Sequence, residues 1–268
     1  MTKTVQSVSE FISLLPDLRS AVELDGATLN AWYRGHGDDT WELTPTLFRC
    51  EVPPDREREM LRDFKIHLGT ERQFAPNNDI DWIFIAQHHG LPTRMLDWTE
   101  NPLVALFFAV ERYDHPKDGK LFALNAWSLN TDVAFSPKHK AFDQADVVGL
   151  QTVPTTDHRF FKKYVIDLVG TNVPRTPEAV FPMAFRPQSP FKRSMAQSGV
   201  FSIHGTEMRS LEKYASQGLM IESLTIPHKA KHKIFCELFR IGISHGFLFG
   251  DANSIAQSIR FRYSKAYL

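Results

Sequence analysis

The sequence predicts a single α+β domain, with a mixed or antiparallel sheet at its core and N-terminal and flanking helices around it. Three observations lead there. The chain has 268 residues, 43% of them hydrophobic and 23% charged, an ordinary globular composition. Short strand-like stretches and amphipathic helical stretches alternate irregularly along it. No internal repeat, low-complexity tract or Gly/Ser-rich linker breaks it up. The division drawn is an N-terminal helical segment, 1–27, and a main domain, 28–268.

The elements follow in chain order. Ser7 or Ser9 can cap a first helix, in which Val8, Phe11, Leu14, Leu15 and Leu18 recur at helical spacing. Ala31 to Gly35 is short, aromatic and closed by glycine, as a strand would be. Gly37 to Arg49 reads as turn, extended segment and loop. Pro53 and Pro54 end it, and Asp55 opens a helix with Leu61, Phe64 and Leu68 on one face. A further helix starts near Asp79 and stops at Gly90. Asn101 and Pro102 form a helix start, Asn as N-cap and Pro in the first turn. The helix after them is apolar on all sides, so burial on most sides is expected. Strands are expected at 120–126, 179–185, 199–205 and 219–227. Late helices are expected at 229–240 and from 253 to about 263. Between 127 and 154 the pattern weakens, as either a long insertion or several short elements.

Composition excludes several function classes. Lys plus Arg and Asp plus Glu both number 31, so no global field favours nucleic acid or a basic partner. The two cysteines, Cys50 and Cys236, are far apart in sequence, which fits a reducing compartment better than a disulfide framework. The first residues lack an apolar signal core. The longest apolar run, Leu103 to Val110, is far below the roughly 18 residues of a membrane span. A cytoplasmic protein without a membrane partner is expected.

Polar residues gather in a few places. Arg34 and His36 share one side of a strand end. Gly35 and Gly37 beside them would let a ligand approach the backbone, and an arginine there suits phosphate or carboxylate. Alternatively Arg34 pairs with a nearby acid. His88 and His89 end a helix, where the dipole favours them. Thr93, Arg94, Asp97 and Thr99 follow in a short loop or strand, where Arg94 and Asp97 could pair as a latch. His36, His88, His89 and Asp97 would make a poor zinc set, because adjacent histidines lack the usual helical ligand spacing. Arg193 and Gln197 precede another strand. Gln197 could read an amide or sugar hydroxyl, or satisfy a turn. Glu222 shares a strand face with Met220 and Leu224, which makes it either an edge-strand residue or a tuned acid. The common nucleotide and hydrolase motifs are absent.

Four stretches together carry a family resemblance: WYRGHGDDTWELTPTLFR, QHHGLPTRMLDWTENPLVALFFA, MAQSGVFSIHG and GISHGFLFGDANSIAQSI. They resemble the FRG domain, with Tyr33 in place of the phenylalanine of its Phe-Arg-Gly triplet. His89 and Gly250 are departures, at positions where the family favours an aromatic and a proline. The resemblance implies a bacterial or phage-associated protein with a toxin or anti-phage defence role. Its partners would be a nucleotide or NAD, together with an antitoxin, a phage protein or a nucleic-acid target. A more distant similarity to ADP-ribosyltransferases implies NAD as substrate. In it Arg34 matches the early arginine, Asp97-Trp98-Thr99 the strand triplet, and Val104-Ala105 with Phe108-Ala109 the apolar helix. The late glutamate has no clear match; Gln197 and Glu222 are the candidates. Arg34, Asp97, Gln197 and Glu222 would then be catalytic. Gly35, His36, His88, His89, Thr93, Arg94, Trp98, Thr99 and Arg193 would line the ligand, with Trp98 stacking on nicotinamide. The dipole at the start of the helix from Pro102 would favour an anion. A non-catalytic sensor of a nucleotide, nucleic acid or phage protein is the alternative reading, and a metal-dependent hydrolase the third.

Overall fold

The computed structural model describes residues 3–22, 31–53, 56–68, 79–134, 153, 155, 164, 179–187, 196–265 and 267. Its strands are β1 (Lys3–Thr4), β2 (Ala31–His36), β3 (Met95–Thr99), β4 (Gly119–Asn125), β5 (Met183–Phe185), β6 (Gly199–Ile203) and β7 (Ile221–Ile226). Its helices are α1 (Val8–Ser20), α2 (Thr46–Arg49), α3 (Glu57–Leu68), α4 (Asp79–His88), α5 (Pro102–Val110), α6 (Ala126–Ser128), α7 (His228–Arg240), α8 (His245–Phe249) and α9 (Ala252–Arg262). A π-helical turn spans Leu129–Ala134 and a 3-10 helix Leu211–Gln217. One open sheet runs β1-β7-β4-β2-β3-β6-β5. β1 pairs parallel with β7 and every other pair is antiparallel. This is an α+β fold with a mixed sheet.

Alternation along β2 decides what lies on each side. Tyr33 packs in the core formed with α1, α5 and α7, whereas Trp32 packs in the core under the opposite face with Phe122, Leu124 and Trp98. A third cluster joins α4 to β5 and β6 through Trp82, Phe84, Met183 and Phe201. In α5, Val104, Ala105, Leu106, Phe107, Ala109 and Val110 are all buried, as an all-round apolar helix should be. Asn101 caps it, accepting the Leu103 N–H at 3.0 Å. The helix sits close to β2 because Gly35 has no side chain. A Cβ there would lie 1.9 Å from the Ala105 carbonyl oxygen and 2.5 Å from Ala109 N.

Several expectations change. Gly37–Arg49 forms turns and the short α2, not an extended segment. Asp38 Oδ1 accepts both the N–H and the hydroxyl of Thr40, closing a local turn. The Leu43 N–H then goes to the Glu212 carboxylate at 2.9 Å and not to a strand. The strand expected at 179–185 is confined to Met183–Phe185. Its first residues instead lie against Gly205, where a Cβ would meet Val180 backbone at 2.2 Å. Helix α8, capped by Ser244, is additional. Of the weak stretch 127–154, the part to 134 is helical.

Candidate functional site

β2 and β3 are joined by one ladder pair, Tyr33 with Thr99. Beyond it Arg34 occupies the space between the strands. Its Nη1 donates to the backbone carbonyl of Asp97 and stands 4.0 Å from the Asp97 carboxylate. Its Nε donates to His36 Nε2 at 2.9 Å. For His36 to accept there, its proton must be on Nδ1, which faces the Trp41 carbonyl at 3.1 Å. The histidine is therefore neutral, and its setting keeps it so. Burial, reinforced by the Arg34 charge, pushes its pKa down to about 3. Burial also pulls Arg34 below its ordinary value, against the opposing pull of Asp97. One fifth of the Arg34 side chain remains exposed, and no described residue takes its Nη2.

Asp97 is held from the other side. Thr93 Oγ1 donates to Gln87 Oε1 at 2.5 Å, and Gln87 Nε2 donates to Asp97 Oδ1 at 2.7 Å. α4 thus supplies the amide that orients the carboxylate. Gly90, with φ +84°, ends that helix and turns the chain toward β3. The result is an arginine fixed by a neutral imidazole, next to an oriented, mostly exposed carboxylate, on the rigid frame of two strands. Such a pair can grip a phosphate and still offer an acid beside it.

Arg94 does not pair with Asp97. Three residues apart across an alternating strand, the two point to opposite faces. Arg94 is 1% exposed and its Nε donates to Glu57 Oε2 at 2.6 Å. Its Nη1 and Nη2 go to the carbonyls of His204 and Tyr164. It is a buried latch between α3, β3 and the end of β6. Trp98 also lies in the core, 3% exposed, with Nε1 donating to Ser202 Oγ at 2.9 Å; it presents no face for stacking.

The expected catalytic set divides. Arg34 and Asp97 converge. Gln197 lies at the other end of β3, where its carbonyl accepts the Thr99 hydroxyl and its amide donates to the Leu248 carbonyl. Glu222 pairs across from Ala123 and so lies on the face of Tyr33, opposite Arg34. The start of α5 is filled by its own Asn101 cap, whose N–H also bonds Thr99 Oγ1, so it offers no open anion site. His88 and His89 are exposed at the end of α4, their rings perpendicular at 5.0 Å. Gly35 serves the contact with α5. Arg193 is outside the described residues. Among the described residues no three His, Cys, Asp or Glu side chains cluster as a metal site, and no helix is long and apolar enough to cross a membrane.

Sequence reading did not single out Arg49 or Trp41, and gave Gln87 no role at the site. The charge of Arg49 acts on both Arg34 and His36, lowering each. A basic residue at the end of the same stretch that holds Arg34 was the available signal.

Residues 29–118 match the family model of the FRG domain, so the chain carries an FRG domain. No curated protein and no solved structure matches the chain. Arg34, His36, Arg49, Gln87, Thr93 and Asp97 all fall inside the matched span, whereas Gln197 and Glu222 fall outside it.

Proposed function

We propose that this FRG-domain chain recognises a nucleotide-type ligand, NAD being the leading case, through a phosphate held by Arg34. The observation that carries this reading is Arg34 fixed by neutral His36 in the gap between β2 and β3, with Asp97 oriented beside it. A guanidinium already desolvated and positioned loses little freedom on binding an anion. The toxin or anti-phage setting rests on the family resemblance alone.

Whether the ligand is also cleaved turns on Asp97. An ADP-ribosyl transfer passes through an oxocarbenium-like state that needs a carboxylate close by. Neither Gln197 nor Glu222 joins Arg34, which favours recognition without turnover; Asp97 alone favours the catalytic reading.

The test is calorimetric binding of NAD and ADP-ribose to the chain and to Arg34→Gln, with released nicotinamide followed in parallel. Loss of charge-assisted hydrogen bonds predicts affinity weaker by roughly 10- to 100-fold; since Arg34 also bonds His36 and the Asp97 carbonyl, binding is compared well below the variant's own melting temperature. Undiminished binding in the variant refutes the site. Nicotinamide release abolished by Asp97→Asn would establish the transferase or glycohydrolase reading, and saturable binding without release the sensor.

A further inference from the structure

Trp41 is out of place for a purely structural residue. Trp32, Trp82 and Trp98 are 0%, 7% and 3% exposed, but Trp41 is 40% exposed. It stands beside the Arg34 site. Its carbonyl fixes His36, and its ring meets the His36 ring edge-on, with centroids 6.1 Å apart. The Arg112 guanidinium lies 5.6 Å from its centroid, adding a cation and steadying the indole.

Arg49 completes the surroundings. The one hydrogen bond of its side chain among the described residues is from Nη2 to the neutral Thr46 hydroxyl, at 2.9 Å. No described acid neutralises it. Its helix is tied to the site, the Leu47 N–H donating to the Thr93 carbonyl at 3.1 Å, and its charge acts on both Arg34 and His36. Arg34 reaches the exposed indole through His36, and Arg112 stands against its ring. A positioned guanidinium suits an anion, and an exposed indole suits a flat ring. Ligands that combine the two are nucleotides.

We propose that Trp41 is the stacking platform for a base and Arg49 the second arm on the phosphates, so that the site selects a ligand joining an aromatic ring to a phosphate or diphosphate. This rests on the reading of Arg34 as the phosphate anchor. It adds that the base, and not the phosphate alone, determines affinity.

The experiment compares ADP, inorganic pyrophosphate and adenosine on the full chain by calorimetry, with indole fluorescence as a second readout. ADP binds more tightly than pyrophosphate. Trp41→Ala weakens ADP roughly tenfold or more, as loss of a base stack does, and leaves pyrophosphate unchanged. Trp41→Phe keeps most of the ADP affinity. Arg49→Gln weakens ADP and pyrophosphate alike. The proposal is overturned if Trp41→Ala binds ADP like the parent, or if it weakens pyrophosphate as much as ADP. In either case, loss of ADP binding by Arg34→Gln leaves the Arg34 reading standing. If Arg34→Gln binds ADP undiminished, or the parent binds neither ADP nor pyrophosphate, that reading falls too.

Discussion

Replacing Glu57 by Gln should be the most damaging single change in the buried polar latch. Arg94 is 1% exposed and Glu57 3% exposed. Glu57 Oε2 accepts Arg94 Nε at 2.6 Å, and its Oε1 accepts the Arg94 backbone N–H at 3.1 Å. Glutamine preserves the shape and one acceptor but leaves the guanidinium without its counter-charge. The His204 and Tyr164 carbonyls that take the rest of Arg94 are neutral. Breaking a buried pair from one side costs about 3–5 kcal/mol. At about 2–4 °C per kcal/mol for a chain of this class, that lowers the melting temperature by roughly 6–20 °C. Denaturant unfolding of the parent, Glu57→Gln, Arg94→Met and the double variant would measure it. Removing both charges should recover much of the loss, since the remaining group is no longer an unpaired ion. A loss below about 1 kcal/mol in Glu57→Gln, or strict additivity in the double variant, would show that water or another acid compensates Arg94.

Stability should also fall with mild acid. His36 and His204 are 4% and 0% exposed, and burial is the leading cause pushing each pKa down to about 3. Both stay neutral in the fold while the unfolded chain takes up protons near pH 6.5. Their contribution is complete above that pH and is lost as pH falls toward 3. From pH 7.5 to 5.5 the two together predict a loss of about 3 kcal/mol, read by urea unfolding at each pH. His204→Phe should remove about half of that slope, and an unchanged slope would contradict the assignment. Gly35→Ala must displace α5, since its Cβ would meet Ala105 O at 1.9 Å. A loss of about 3 kcal/mol, at the upper end for overpacking, and weaker ligand binding are expected; a melting temperature equal to the parent's would mean the helix moves freely.

What the sequence revealed was whatever chemistry is local. Asn101-Pro102 announced α5 because a cap and a missing N–H act within one turn. Ala31–Gly35 was legible as a strand, which runs one residue further to His36, and its alternation set Arg34 and His36 on one side. Long-range partners were not legible. Arg94 and Glu57 are 37 residues apart, and each alone reads as a solvated charge. The turn at Asp38 and the Glu212 carboxylate on Leu43 replaced an extended segment, and Glu212 is 169 residues away. For Glu222 the alternation was right but the sheet order was hidden. β7 lies next to β4, two positions from β2, with its residue 222 on the face away from Arg34. β1 reaches only Leu224 and Thr225, so Glu222 lies beyond the end of β1 among the described residues and is exposed.

The juxtaposition of a polar loop and an apolar helix in 87–110 follows from how β2 is used. One face of β2 gives Tyr33 and the bare Gly35 to α5, so helix and strand lock at backbone distance. The other face gives Arg34 and His36 to the site. The buried helix therefore fixes the strand from behind, and the strand presents its guanidinium without a flexible loop between. β3, which carries Asp97, is tied down separately, through Gln87 of α4 on one side and the five-residue pairing with β6 on the other. Two independently anchored strands joined by a single ladder pair leave a gap of set width. Arg34 stands where further ladder pairs between β2 and β3 would be, so the sheet itself positions its cation, as the proposed anion site requires.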